Sequence, residues 1–170
     1  MEKKSRDGIY IGLGGNLPHP LHGPPERTLP AALDALQARG IRVVRTSPWY
    51  RSPPVPVSDQ PWYVNAVAEV ATSLPADRLL AELHAVEELF GRLRTVPNAA
   101  RLIDLDLLDY HGEIAPGGLG KATLPHPRMA SRAFVLRPLA DLAPGWRHPV
   151  TGATVEALLD DTLPFDLRRV

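Results

Sequence analysis

Short apolar runs and helical stripes alternate along this chain. Ile9-Tyr10-Ile11-Gly12-Leu13 is β-rich and ends in Gly14-Gly15-Asn16, which predicts an edge-to-core strand running into a turn. Prolines 18, 20, 24 and 25 make 17–27 a loop. Thr28 can cap a helix, with Pro30 near its start and Gly40 past its end; Leu29, Ala32, Leu33 and Leu36 supply its apolar face. Residues 41–50 read as a second strand broken by Pro48, and 51–61, with four prolines in eleven residues, as an irregular segment. Residues 63–71 form a strong strand. Ser73 and Pro75 open a helix to about Phe90, with Leu79, Leu83, Val86 and Phe90 at helical spacing and Gly91 as its stop. A loop over 92–100 leads to a strand over 102–108, then a turn or hairpin around 109–120. A helix over 127–139 and a short one over 154–160 follow. The order β-α-β-β-α-β predicts an α+β fold, a ferredoxin-like βαββαβ sandwich with a C-terminal α/β extension, as a single domain over 1–170.

Composition narrows the function classes. Nineteen Lys and Arg balance nineteen Asp and Glu, which argues against a nucleic-acid coat or a polybasic membrane binder. With no cysteine, thiol catalysis, iron–sulfur clusters and Cys-ligated zinc are excluded. Nineteen prolines predict stiff loops. No run reaches the ~18–20 apolar residues of a membrane span, and the charged N-terminus lacks a signal-peptide core, so the expected compartment is the cytoplasm.

The sharpest chemical signal is Arg101-Leu102-Ile103-Asp104-Leu105-Asp106-Leu107-Leu108. On a strand, Asp104 and Asp106 share a face about 7 Å apart. Two carboxylates in an apolar run need cations or a metal, and magnesium suits such a pair because water and phosphate complete its shell. Arg92, Arg94, Arg101, Lys121, Arg128 and Arg132 flank the run, as a magnesium polyphosphate requires. His126, between two prolines and beside Arg128, suits an anionic ligand. Tyr63 and Asn65 share a strand face; one can stack on a flat heterocycle while the other reads its edge. Other lookalikes fail. Gly117-Gly118-Leu119-Gly120-Lys121-Ala122 lacks the first glycine and the hydroxyl of a phosphate loop. Leu17 stands where a dinucleotide fingerprint needs glycine, so Gly14 and Gly15 read as turn geometry. His19 and His22 lack a third ligand, and Glu87 and Glu88 read as an ordinary helix face.

Together these segments resemble the 6-hydroxymethyl-7,8-dihydropterin pyrophosphokinase family of folate synthesis. The resemblance is carried, in order, by Gly14-Gly15-Asn16-Leu17, Tyr50-Arg51-Ser52-Pro53-Pro54, Asp59-Gln60-Pro61-Trp62-Tyr63-Val64-Asn65-Ala66, Glu87 with Gly91-Arg92-Leu93-Arg94, Arg101 with Asp104-Leu105-Asp106, and Pro125-His126 through Arg132 and Phe134. It implies transfer of pyrophosphate from ATP to the pterin hydroxymethyl group, with release of AMP. It also implies that Asp104 and Asp106 hold two Mg2+ ions, and that Arg92, Arg94, Arg101, Lys121, His126 and Arg132 line the ATP side. His84, Glu87 and Thr123 become further nucleotide contacts. Tyr63 and Phe134 sandwich the pterin, and Asn65 reads its edge with the backbone around Ser52, Pro53 and Val55. Arg92 and Arg94 join the two aspartates as catalytic residues.

The chain departs from the family pattern at Pro97-Asn98-Ala99-Ala100, where a basic residue and a stacking aromatic are missing. The expectation is an active enzyme with a differently built lid, acting as a monomer on two small molecules, with no nucleic-acid or membrane partner. The competing reading is a catalytically weakened ferredoxin-like homologue that binds nucleotide or pterin only.

Overall fold

A computed structural model describes residues 8–54, 56–91, 102–162 and 165–170. Its centre is an antiparallel sheet of β1 (Ile9–Gly15), β2 (Arg42–Thr46), β3 (Tyr50–Ser52), β4 (Tyr63–Ala71), β5 (Asp104–Tyr110) and β8 (Arg168–Arg169). The order is β5-β1-β4-β3-β8, with β2 on the same edge of β4 as β3. The hairpin β6 (Ala115–Gly118) and β7 (Lys121–Leu124) stands apart as a second sheet. The helices are α1 (Pro25–Gln37), α2 (Ala76–Leu89), α3 (Ala133–Leu142) and α4 (Val155–Asp160).

The expected strand at 63–71 is present with those bounds, and α2 starts directly after Pro75. Several expectations need correction. β1 is interior rather than at an edge, because it pairs with both β4 and β5. Gly14 and Gly15 lie inside this strand rather than in a turn. The strand expected over 41–50 divides into β2 and β3 around Pro48, where a proline cannot donate to the ladder. α1 begins at Pro25, not after Thr28. Proline is tolerated in a first helical turn, and the Thr28 hydroxyl instead donates back to the carbonyls of Gly23 and Pro24. The helix expected over 127–139 is a 3-10 turn at Met129–Ser131 followed by α3. Part of the C-terminal extension returns to the main sheet as β8, which two arginines did not announce.

Alternation along the strands gives the sheet two different faces. Ile9, Ile11, Leu13, Val64, Ala68, Leu105 and Leu107 pack against α1 and α2 in one core. Tyr10, Val67 and Leu108 face the other way, into a second core with α3, Trp146 and Val155. A bulge between β1 and β5 at Tyr10/Ile11 turns both Leu108 and Asp109 toward that second face. The second core covers only one end of the face. Toward the other end, β1 contributes Gly12 and Gly14, which have no side chains to fill the space.

Candidate active site

The uncovered end of the second face is a cavity of about 590 Å³. Its chemistry follows strand order. Asp104 and Asp106 line it from β5, Gly12 and Gly14 from β1, Tyr63 and Asn65 from β4, and Ser52 and Pro53 from the end of β3. Register explains the alignment: Gly14 lies opposite Asp104 on one side and Asn65 on the other, and Gly12 lies opposite Asp106. Two strand spacings, about 10 Å, therefore separate the carboxylate strand from the Tyr63/Asn65 strand.

The heterocycle-like end is rigid. The Asn65 amide donates to Ser52 Oγ at 2.9 Å, with both residues buried. A Cβ at position 14 would lie 2.7 Å from Asn65 Oδ1, so the carboxamide occupies space that only glycine leaves. Asn16, also buried, donates from Nδ2 to Gln60 Oε1 and to the Pro61 carbonyl, which pins the approach to β4. Phe134 enters from the first turn of α3. It both lines the cavity and packs on the second core, and the Arg132 guanidinium lies 5.5 Å from its ring centroid.

The opposite end is polar. His84 of α2, Lys121 and Thr123 of β7 and His126 line it, joined by Arg128 and Ser131, and Arg132 stands near both His126 and the Phe134 ring. β7 is fastened to α2 by the Ala122 amide donating to Asp77 Oδ1 at 2.8 Å. The His126 amide donates to the Leu108 carbonyl at 2.9 Å, which ties the His126 loop to the bulge in β5. His126 Nε2 stands 4.0 Å from Asp106 Oδ1. Burial first, and the neighbouring Arg132 second, push the imidazole down to about 4, against the pull of Asp104. At neutral pH it is a neutral hydrogen-bonding ring rather than a cation.

Twelve of the sequence-predicted site residues meet in this cavity: Ser52, Pro53, Tyr63, Asn65, His84, Asp104, Asp106, Lys121, Thr123, His126, Arg132 and Phe134. Arg92, Arg94, Arg101 and Val55 lie outside the described residues, as does the 97–100 departure. Glu87 lies beneath the sheet. It is fully buried and absent from the cavity wall, and its Oε2 accepts the Leu105 amide at 2.9 Å. It fastens α2 beneath β5 between the two aspartates. The sequence reading missed the gap made by Gly12 and Gly14, although two glycines at i and i+2 on a strand signal a bare face. It also missed Leu80, Ser131 and Phe165, which line the cavity without any motif.

The donor set fits magnesium. Two carboxylates point into one cavity with no β1 side chain beside them, and the Asp106 side chain is 31% exposed. Among the described residues no group of three or more His, Cys, Asp and Glu could hold a metal. A hard cation on two carboxylates would therefore complete its shell with water and phosphate oxygens. In chemical terms the cavity can take a flat heterocycle at one end and a polyanion at the other.

The family model of 7,8-dihydro-6-hydroxymethylpterin-pyrophosphokinase matches residues 10–144, and the chain belongs to this family. The family's reaction is pyrophosphoryl transfer from ATP to the hydroxymethyldihydropterin in folate synthesis. The "2-amino-4-hydroxy-6-hydroxymethyldihydropteridine pyrophosphokinase" of Methylorubrum extorquens is 38% identical over 162 residues, covering 95% of this chain and 97% of that protein. "Folic acid synthesis protein fol1" of Pneumocystis carinii is 35% identical over 164 residues, covering 96% of this chain; the chain spans only 21% of that protein's length. A Plasmodium falciparum HPPK-DHPS triple mutant, solved with SDX-DHP, superposes with a TM-score of 0.67 at 14% identity, covering 90% of this chain and 44% of that one. This last likeness concerns the fold alone.

Proposed function

We propose that this chain is an ATP-dependent diphosphotransferase that converts 6-hydroxymethyl-7,8-dihydropterin to its diphosphate and releases AMP. The observation that carries the reading is the position of Asp104 and Asp106, inside one cavity between the His84/Lys121/Thr123/His126/Arg132 end and the Tyr63/Asn65/Phe134 end. Tyr63 and Phe134 bracket the pterin ring, while Asn65 and the backbone at Ser52 and Pro53 read its edge, a role that Val55 is assigned as well. Lys121, Thr123, His84, His126 and Arg132 face ATP, joined by Arg92, Arg94 and Arg101. Asp104 and Asp106 hold two Mg2+ ions. When bound, the ions neutralise charge on the transferring group and on the leaving oxygen.

The substrate hydroxyl oxygen attacks the β-phosphorus in line. The new C–O–P bond forms as the bond from the β-phosphorus to the α–β bridging oxygen breaks; that oxygen leaves on AMP, and the hydroxyl proton passes by way of an aspartate carboxylate to solvent. The arginines and Lys121 stabilise the equatorial oxygens. Neutral His126 contributes a hydrogen bond to a phosphate oxygen without a fixed charge. The strand order β5-β1-β4-β3, with α1 and α2 on one face, supports a ferredoxin-like fold. The chain is read as a single domain over 1–170, a monomer, acting in the cytoplasm; no helix among the described residues is long and apolar enough to cross a membrane.

The test is product analysis with magnesium-ATP, with and without the pterin. Pterin-dependent AMP supports the reading. ADP would place the attack on the γ-phosphorus, and tight pterin binding without any nucleotide product would favour a binding-only homologue.

A further inference from the structure

The last six residues return to the sheet that carries the site. Arg168 pairs with Arg51, Arg169 pairs with Tyr50, and the Val170 amide donates to the Trp49 carbonyl at 2.9 Å. This strand is short, and further contacts fix it. The Arg168 guanidinium lies 4.9 Å from the Trp62 ring centroid while donating to both carboxylate oxygens of Asp166 at 3.2 Å. Trp62 directly precedes Tyr63, so the tail is clamped at once to the strand carrying Ser52 and to the residue before the stacking tyrosine.

The pairing is antiparallel, so the residues before Arg168 run alongside those after Arg51, toward Ser52 and Pro53. Phe165 lies there, half-buried, and it lines the cavity with Ser52, Pro53 and Tyr63. The end of the cavity suited to a flat ring thus has three aromatic walls from three parts of the chain: Tyr63 from β4, Phe134 from α3 and Phe165 from the tail. Phe165 falls outside the 10–144 family match.

We infer that Phe165 is a pterin-positioning residue, and that the β3–β8 pairing with the Arg168–Trp62 contact makes the C-terminal tail a wall of the heterocycle pocket. This inference rests on the functional reading above and adds a specificity element to it. A phenyl ring at this place favours a flat, polarisable ring over a saturated or bulky one. The nucleotide end, formed by α2, β7 and the His126 loop, lies on the far side of the sheet path and does not depend on it.

The test uses the full chain and its Phe165→Ala, Phe165→Leu and Arg168→Ala variants. Binding of the pterin and of a non-hydrolysable magnesium-ATP analogue is measured by titration calorimetry, and pterin-dependent AMP release is followed in parallel. Phe165→Ala is expected to weaken pterin binding about tenfold, the size of one lost stacking partner, and to leave nucleotide-analogue affinity within about twofold. Phe165→Leu should recover part of the loss through apolar contact. Arg168→Ala should reproduce a smaller loss with Phe165 still present. A purely structural role would lower both affinities together, and that result overturns the inference. Unchanged pterin affinity in Phe165→Ala overturns it as well. If the wild-type chain itself forms no pterin-dependent AMP and binds no pterin, the functional reading fails and this inference falls with it.

Discussion

Strand β5 presents three aspartates to the same side of the sheet, and its two ends treat them in opposite ways. Asp104 and Asp106 lie opposite Gly14 and Gly12, and the cavity opens above them. Asp109 lies opposite Tyr10 and is 1% exposed. Its carboxylate accepts the Trp146 indole N–H at 2.9 Å and the Gly112 amide at 3.0 Å, beneath the cover of the second core. The residue type is the same and the strand is the same. The partner on β1 decides: a side chain at position 10 builds a core, while the bare positions 12 and 14 leave a basin. One carboxylate holds the fold, and two line the cavity.

The largest effect should come from removing the open pair. The Asp104→Asn/Asp106→Asn variant should lose about 10³-fold or more of pterin-dependent AMP formation in steady-state assays. Thermal unfolding of the same variant separates this loss from any loss of folded protein. Asp109→Ala should do the reverse. It leaves the buried Trp146 N–H without an acceptor, so denaturant unfolding should show a loss of about 2 kcal/mol, with turnover per folded molecule near wild type.

A finer break falls between two glycines of one strand. Gly14→Ala places a Cβ 2.7 Å from Asn65 Oδ1, so the carboxamide must move. The KM for the pterin should rise about tenfold. A Cβ at position 12 has the Leu108 side-chain carbons as its nearest neighbours, at 3.5–3.7 Å, so Gly12→Ala should leave the same constant within about twofold.

The smallest effect is in pH. Burial raises the Asp109 carboxyl above its ordinary 3.8, against the hydrogen bonds from Trp146 and Gly112. A raised folded-state value means that the folded protein keeps its proton where the unfolded chain has lost it. The stabilisation is full below the unfolded value and is lost as pH rises through the folded one. Urea midpoints of the wild type should therefore fall relative to Asp109→Asn as pH rises from about 4, and a parallel pair of curves would contradict this.

Much of this contrast was legible in the sequence. The Asp-x-Asp spacing put two carboxylates on one side of their strand, and the Tyr63-x-Asn65 spacing put an aromatic and an amide on one side of theirs; the structure brings both pairs to the same face of the sheet. What pattern reading could not supply was depth. Glu87 read as part of an ordinary helix face, and the structure buries it under β5, because the depth of a helix position is set only once its packing partner is known. Gly14 looked like a turn because glycine usually marks one; its use here is to make room for Asn65 from a strand it does not belong to. β8 and Phe165 left no periodic trace, since a two-residue edge strand is specified by contacts made far away in sequence.

The most direct test of the open carboxylate pair is Mn2+ binding, followed by electron paramagnetic resonance in the presence of a non-hydrolysable ATP analogue. The wild type and Asp109→Asn should bind the metal–nucleotide complex alike, and Asp104→Asn/Asp106→Asn should lose protein-bound Mn2+ at least tenfold in affinity. Equal Mn2+ binding by the Asp104→Asn/Asp106→Asn variant and the wild type would contradict the assignment of these two aspartates and the division of β5 built on it.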